Sequence, residues 1–342
     1  MRPFCFQHWW FGRWPLTWAV SLSYMAFVLL LSTLEEHANK FGVVGPQACA
    51  ECHIDEHTVW KASSHHEGSK TLSRSVQAKT IASALGIRRI KGDSRCTTCH
   101  FTMQESGSGQ LRPTTGVSCE SCHGAAQGWV AVHADFGPEA SNALEENAAH
   151  RQARLRNCER QGMVRLSSIY DMASNCYGCH SIDDPEIIEA GGHPSGAGFE
   201  LVSWSQGEIR HNFLHSEPRE NKEASADWRA LAFVVGRGLE VEYALKALEK
   251  ASGASLEGAN RRLAAAVGDM VQIAQLVETP ALKDLVTQMK GVNAQANAPT
   301  QVSSKRVSGL VRRIEEELRE LDLSSIFELL PDPADYRGSR SR

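Results

Sequence analysis

The chain has 342 residues, a net charge of −4 and 42% hydrophobic residues. That length suits about two domains, and the apolar fraction excludes a disordered chain. The weakly acidic balance argues against a basic nucleic-acid-binding domain.

The N-terminus opens with Arg2 and Arg13 and no acidic residue before position 14. Residues 14–34, WPLTWAVSLSYMAFVLLLSTL, carry no charge, and Glu35 and Glu36 follow. About 20 apolar residues span a bilayer, and positive-before-negative flanks predict the N-terminus in the cytoplasm with the rest exported. Trp9, Trp10, Trp14 and Trp18 suit an interfacial belt. A cleaved signal peptide is the alternative, but the run is long for one and LSTLEEHA lacks a small-x-small site. The expected segment 1–37 is therefore a membrane anchor, with the remainder in the periplasm; cleavage would leave a soluble periplasmic protein.

Eight of the ten cysteines then fall into four C-x-x-C-H motifs: Cys49–Cys52–His53, Cys96–Cys99–His100, Cys119–Cys122–His123 and Cys176–Cys179–His180. This is the pattern of c-type haem attachment. Two thiols about one helical turn apart each form a thioether to a haem vinyl group, and the adjacent His supplies the proximal axial ligand. A zinc site also uses C-x-x-C pairs, but it has no need of His after every second Cys. Four covalent haem c groups are expected within 132 residues. So little chain cannot wrap each large apolar plate in a private pocket, so the plates must share walls. Cys5 and Cys158 are left over, Cys158 reading as a buried inert thiol.

The expected fold is mainly α. Residues 38–222 form a multihaem domain of short helices and long loops, including 105–116 and 191–198. Residues 223–342 form a helical bundle without haem ligands, since no His or Cys follows His215. Leu231, Val234, Val235, Leu245 and Leu248 mark its first helix, and a second covers about 256–278. Thr279-Pro280 reads as an N-cap and first helical position, with Gly291 as the stop. Val307, Leu310, Val311, Ile314, Leu318 and Leu321 stripe the last helix. The bundle reads as a structural element or as a docking or oligomerising surface. The basic run Arg88, Arg89, Lys91, Arg95 reads as a solvated face or as a partner of haem propionates.

Second axial ligands must come from His37, His57, His65, His66, His133, His150, His193, His211 and His215, enough for bis-His ligation throughout. The stretch CAECH (49–53) with Trp60 and Ser-Ser-His65, the string GVSCESCHG (116–124), His133 ten residues after His123, and long–short–long motif gaps together resemble the tetrahaem cytochrome c-554 family over residues 46–180. The resemblance implies His133 opposite His53, His65 opposite His123, and an open five-coordinate iron at His100. Beyond His180 the sequence departs from that family. There His193 is the first choice opposite His180 and His211 the second. His57 could reach a neighbouring haem, and the other His suit propionate or surface roles.

The expected function is electron transfer between redox partner proteins. The alternatives are a small nitrogen-compound reductase, which needs the open iron at His100, and an anchored quinol dehydrogenase, which rests on architecture alone. No acid–base constellation surrounds His100 in sequence; only Asp93 and Glu105 lie near.

Overall fold

The computed structural model describes residues 42–215, 220–290 and 302–337. The anchor expected at 14–34 lies outside them, as do Gly291 and Cys5. Among the described residues no helix is long and apolar enough to cross a membrane.

The fold is mainly helical, with many short helices before a long-helix C-terminal region. The chain begins with α1 (Pro46–Ala50), α2 (Ile54–Lys61), α3 (Ser64–Thr71), α4 (Val76–Ala84) and α5 (Ser94–His100). Polar residues at their starts explain several boundaries. Ser75 Oγ accepts from Ala78 N, and Asp93 accepts from Arg95 N, each occupying an otherwise orphaned helix donor.

The stretch expected as a loop at 105–116 instead contributes to an antiparallel hairpin, β1 (Thr102–Glu105) and β2 (Leu111–Thr115). Gly109 turns it at φ +77°, a conformation that costs glycine no Cβ clash. The polar, Thr-rich strands carry little apolar alternation, so the pattern hides them. The loop expected at 191–198 is present, with positive φ at Gly192, Gly196 and Gly198.

Next come α6 (Cys119–His123), α7 (Ala148–Arg160), α8 (Ile169–His180), α9 (Pro185–Glu189) and α10 (Leu201–Ser205). The C-terminal region holds α11 (Ala226–Leu248), α12 (Gly253–Leu276), α13 (Pro280–Met289) and α14 (Ser304–Leu318). Thr279 Oγ1 accepts from Leu282 N at 3.3 Å and Pro280 takes the first helical position, as the sequence predicts. On α14, Val307, Leu310, Val311, Ile314 and Leu318 are buried. Leu321 lies past the helix end and is 43% exposed.

Helix α11 is the central element, with apolar residues buried all round it, and it packs on α8, α10, α12 and α14. At Gly238 a Cβ would stand 2.8 Å from Val311 Cγ2, so the missing side chain sets the approach of α14.

The main core crosses position 222. Ile169, Tyr170, Ala173 and Tyr177 of α8 belong to the same apolar cluster as the C-terminal helices. Three hydroxyls reinforce the join. Tyr170 Oη donates to Glu242 Oε2 at 2.7 Å, Tyr177 Oη to the Gly236 carbonyl at 2.8 Å, and Tyr243 Oη to the Ser174 carbonyl at 3.0 Å. The buried Glu315 carboxylate accepts from Ile169 N at 2.7 Å and Tyr170 N at 2.9 Å, placing negative charge at the α8 N-terminus where the helix dipole favours it. The described residues accordingly belong to one compact unit. The C-terminal helices are the backing on which the fourth C-x-x-C-H helix is built.

Candidate haem-binding centre

Each C-x-x-C-H motif sits on a helical turn. In α5, α6 and α8 it occupies the last turn, with the His as the final residue. In the first motif His53 N donates to Cys49 O at 2.9 Å, which continues the turn of α1. The turn puts both sulfurs and the imidazole on one side, as a thioether-linked group requires. All nine cysteines among the described residues are free of disulfides. Burial pushes the Cys122 thiol up to about 11 and the Cys176 thiol up to about 12. Those places disfavour a thiolate and suit an uncharged thioether.

Four pairs of imidazoles face one another. His53 lies opposite His133 at 6.3 Å between ring centres, His65 opposite His180 at 6.1 Å, His100 opposite His193 at 6.2 Å and His123 opposite His211 at 6.3 Å. With a metal–imidazole bond of about 2 Å and a ring centre about 1 Å behind the nitrogen, two imidazoles across one metal have centres roughly 6 Å apart. Every pair joins one motif His to one His from elsewhere. The residues therefore fit haem iron with two axial imidazoles. Among the described residues no three His, Cys, Asp or Glu side chains converge on a bare metal ion.

The rings are held for such a role. His123 Nδ1 donates to the Val164 carbonyl at 3.2 Å and His133 Nδ1 to the Val130 carbonyl at 2.5 Å. His193 Nδ1 donates to the Pro194 carbonyl at 2.8 Å and His211 Nδ1 to the Ile209 carbonyl at 2.6 Å. A proton fixed on Nδ1 leaves the Nε2 lone pair for a metal. Burial holds His65, His100, His123 and His133 below the ordinary imidazole value, and His180 down to about 4. These rings are neutral, the form a metal binds.

The motifs also adjoin one another. The first-motif helix packs on the third-motif helix, and the second-motif helix on the fourth. Asn175 Nδ2 donates to the Cys122 carbonyl at 2.8 Å, joining the third motif to the fourth. Their spatial order is first, third, fourth, second.

Residues 48–124 match the family model described as "Cytochrome c554 and c-prime". A cytochrome c-554 from Nitrosomonas europaea is 25% identical over 143 residues, 40% of this chain and 56% of that relative. Over this stretch the chain is cytochrome c-554-like. The chain thus spans about half the length of the relative, and no solved structure matches it. The match takes in the first three motifs.

Against the cytochrome c-554 resemblance, the ring pairing is partly as implied and partly rearranged. His133 stands opposite His53. His65 faces His180, not His123, and His211 faces His123. His193 faces His100, where the resemblance implies an open iron, and not His180. His57 faces no motif ring and packs on Trp60 at 5.3 Å. His150 serves as a prop instead. Its Nδ1 lies 2.7 Å from Glu146 Oε1, and Glu146 pairs with buried Arg154, whose guanidinium also donates to the His133 carbonyl. That guanidinium is the first cause holding the Glu146 carboxyl down at about 2. Of the basic run, Arg95 pairs with Asp93 at 3.0 Å and Glu186 at 3.6 Å.

Sequence reasoning missed Glu120, the first of the two variable positions of the third motif. Its buried carboxylate accepts from Gly45 N at 2.7 Å, Ala126 N at 2.8 Å and Val44 N at 2.9 Å, tying the entry to the first motif onto the third. The glycines flanking GVSCESCHG allow comparable closeness. A Cβ on Gly116 would stand 2.0 Å from the His65 carbonyl oxygen, and one on Gly124 2.0 Å from that of Gly162. Glu120→Gln keeps the shape but turns an acceptor into a donor facing N–H groups. It is expected to cost about 1–3 kcal/mol of stability, read as a lowered urea midpoint at unchanged slope. An unchanged midpoint would remove this role.

Proposed function

We propose that this chain is an exported electron-transfer protein carrying four covalent haem c groups, each iron closed by two imidazoles, and tethered to the membrane by residues 14–34. The observation that supports this most directly is the set of four facing pairs, each with one motif His. When bound, haem supplies a one-electron ferric/ferrous couple. Cys49 and Cys52, Cys96 and Cys99, Cys119 and Cys122, and Cys176 and Cys179 would hold the four groups.

The polypeptide's part is to fix neutral imidazoles, exclude water and keep the motifs adjacent. An iron with both axial positions filled has no place for a substrate, which favours electron passage over reduction of a bound small molecule. The reductase alternative needs an open iron at His100, and the His193 ring stands across from it. The motif order leaves the first and second motifs as ends, where redox partner proteins would meet the chain.

The test is EPR of the oxidised protein, with intact mass to count the porphyrins. Four added porphyrin masses and low-spin ferric signals alone are expected, with no spectral change when CO is added after reduction. A high-spin ferric signal near axial symmetry, or fewer than four added masses, would overturn the proposal. Partition of the full chain into detergent but not into a salt wash tests the tether.

A further inference from the structure

Residues 68–92 carry six cations, Lys70, Arg74, Lys79, Arg88, Arg89 and Lys91, and no Asp or Glu. They do so in a chain whose net charge is −4. All six are exposed. The acids at the borders are already engaged, Glu67 with Lys70 at 2.8 Å and Asp93 with Arg95 at 3.0 Å. Among the described residues Arg74, Arg88, Arg89 and Lys91 stand in no ion pair with a carboxylate. Among the protein's own side chains the segment is thus net positive.

Its position gives it meaning. Lys70, Arg74 and Lys91 line one cleft of about 490 Å³, together with His66, Phe101 and Thr115, and no carboxylate lines it. Lys91 Nζ lies 5.4 Å from the centre of the Phe101 ring, and Phe101 follows the second-motif His100 in the chain. His66 follows His65, whose ring faces the fourth-motif His180. The turn Ile90–Gly92 packs on α5, the helix that carries Cys96, Cys99 and His100. The cleft formed by Lys70, Arg74 and Lys91 therefore borders the second motif, one end of the motif order.

We propose that this face docks an acidic redox protein, whose carboxylates meet Lys70, Arg74, Lys91, Arg88 and Arg89 and so bring its redox centre to the second-motif end. The proposal rests on the electron-transfer reading above. Exposed like charges on one face steer an oppositely charged partner and raise its encounter rate, and salt weakens them. A spread of cations beyond the cleft suits a protein surface better than a small oxyanion, which would need the cleft alone.

The probe is a flavodoxin hydroquinone, a small acidic electron donor, mixed with the oxidised full-length protein by stopped flow. Each anionic hydroquinone gives up one electron to become the neutral semiquinone, and one ferric iron becomes ferrous. The second-order rate is expected to fall about tenfold or more between low and high salt. The triple variant K70E/R74E/K91E is expected to be at least tenfold slower at low salt, with a flattened salt dependence. R88E/R89E should be intermediate. Poly-L-glutamate should inhibit far more strongly than inorganic phosphate at matched ionic strength.

A salt-independent rate would overturn the docking proposal, as would an unchanged rate in the triple variant. Phosphate competing as well as poly-L-glutamate would do the same and identify a small-oxyanion cleft. Unchanged porphyrin mass and low-spin spectra establish that the variants are loaded and folded. Full bleaching of the ferric spectrum by dithionite is independent of docking, so its failure counts against the electron-transfer reading alone.

Discussion

Replacing His193 by alanine is expected to open one iron of the four and leave three closed. The His193 ring stands 6.2 Å from that of His100, and its Nδ1 is engaged with the Pro194 carbonyl, so Nε2 is the nitrogen left to ligate. The side chain hangs on a loop secured by the hydrogen bond from His193 N to the Ile187 carbonyl at 3.2 Å. Truncation therefore removes the ligand without dismantling the loop. About one quarter of the oxidised low-spin EPR intensity should convert to high-spin, and the reduced protein should bind about one CO per chain. His57→Ala, which removes a ring facing no motif His, should do neither. Unaltered low-spin intensity in the His193 variant would mean that His193 is no ligand.

The second large effect is expected at Gly196. Its φ is +84°, and a Cβ there would stand 1.8 Å from the His180 carbonyl oxygen and 2.7 Å from the carbonyl carbon. Neither atom is the movable end of a side chain, so backbone must shift. Gly196→Ala combines the left-handed penalty of about 1–2 kcal/mol with that displacement, for a total of roughly 2–4 kcal/mol. The strain falls on the loop carrying His193 and on the end of α8 carrying His180, so loss of low-spin signal should accompany the lowered unfolding midpoint. Gly198 is the control, with a φ of +96° and open space within 4 Å of where its Cβ would stand. Gly198→Ala should cost the backbone penalty alone. Equal midpoints for the two variants would show that the contact with His180 contributes nothing.

The fold was legible where the signal was local. The stripe of α14 is a 3.6-residue repeat, and Thr279-Pro280 is a start signal readable from two residues. The hairpin at 102–115 was not legible, because a polar ribbon between haem motifs buries too little on either face to show alternation. The continuity of the core across position 222 was also hidden. The absence of His and Cys after His215 marks where ligands stop, whereas packing continues, and Tyr170 and Tyr177 commit α8 to the C-terminal helices.

The C-x-x-C-H motifs were determined by sequence alone, since both sulfurs and the proximal imidazole lie within one helical turn and no other part of the chain is needed to bring them together. The eight imidazoles of the four pairs were all among the sequence's candidates, with His193 and His211 as alternatives for one place. Which ring faces which was decided only by the tertiary structure. His65 and His180, or His123 and His211, are far apart along the chain and meet because loops and helices are packed by distant contacts such as Glu120 with Val44 and Gly45, or Glu315 with Ile169 and Tyr170. Local chemistry is encoded in spacing, whereas pairing across a gap depends on the summed packing of the whole chain.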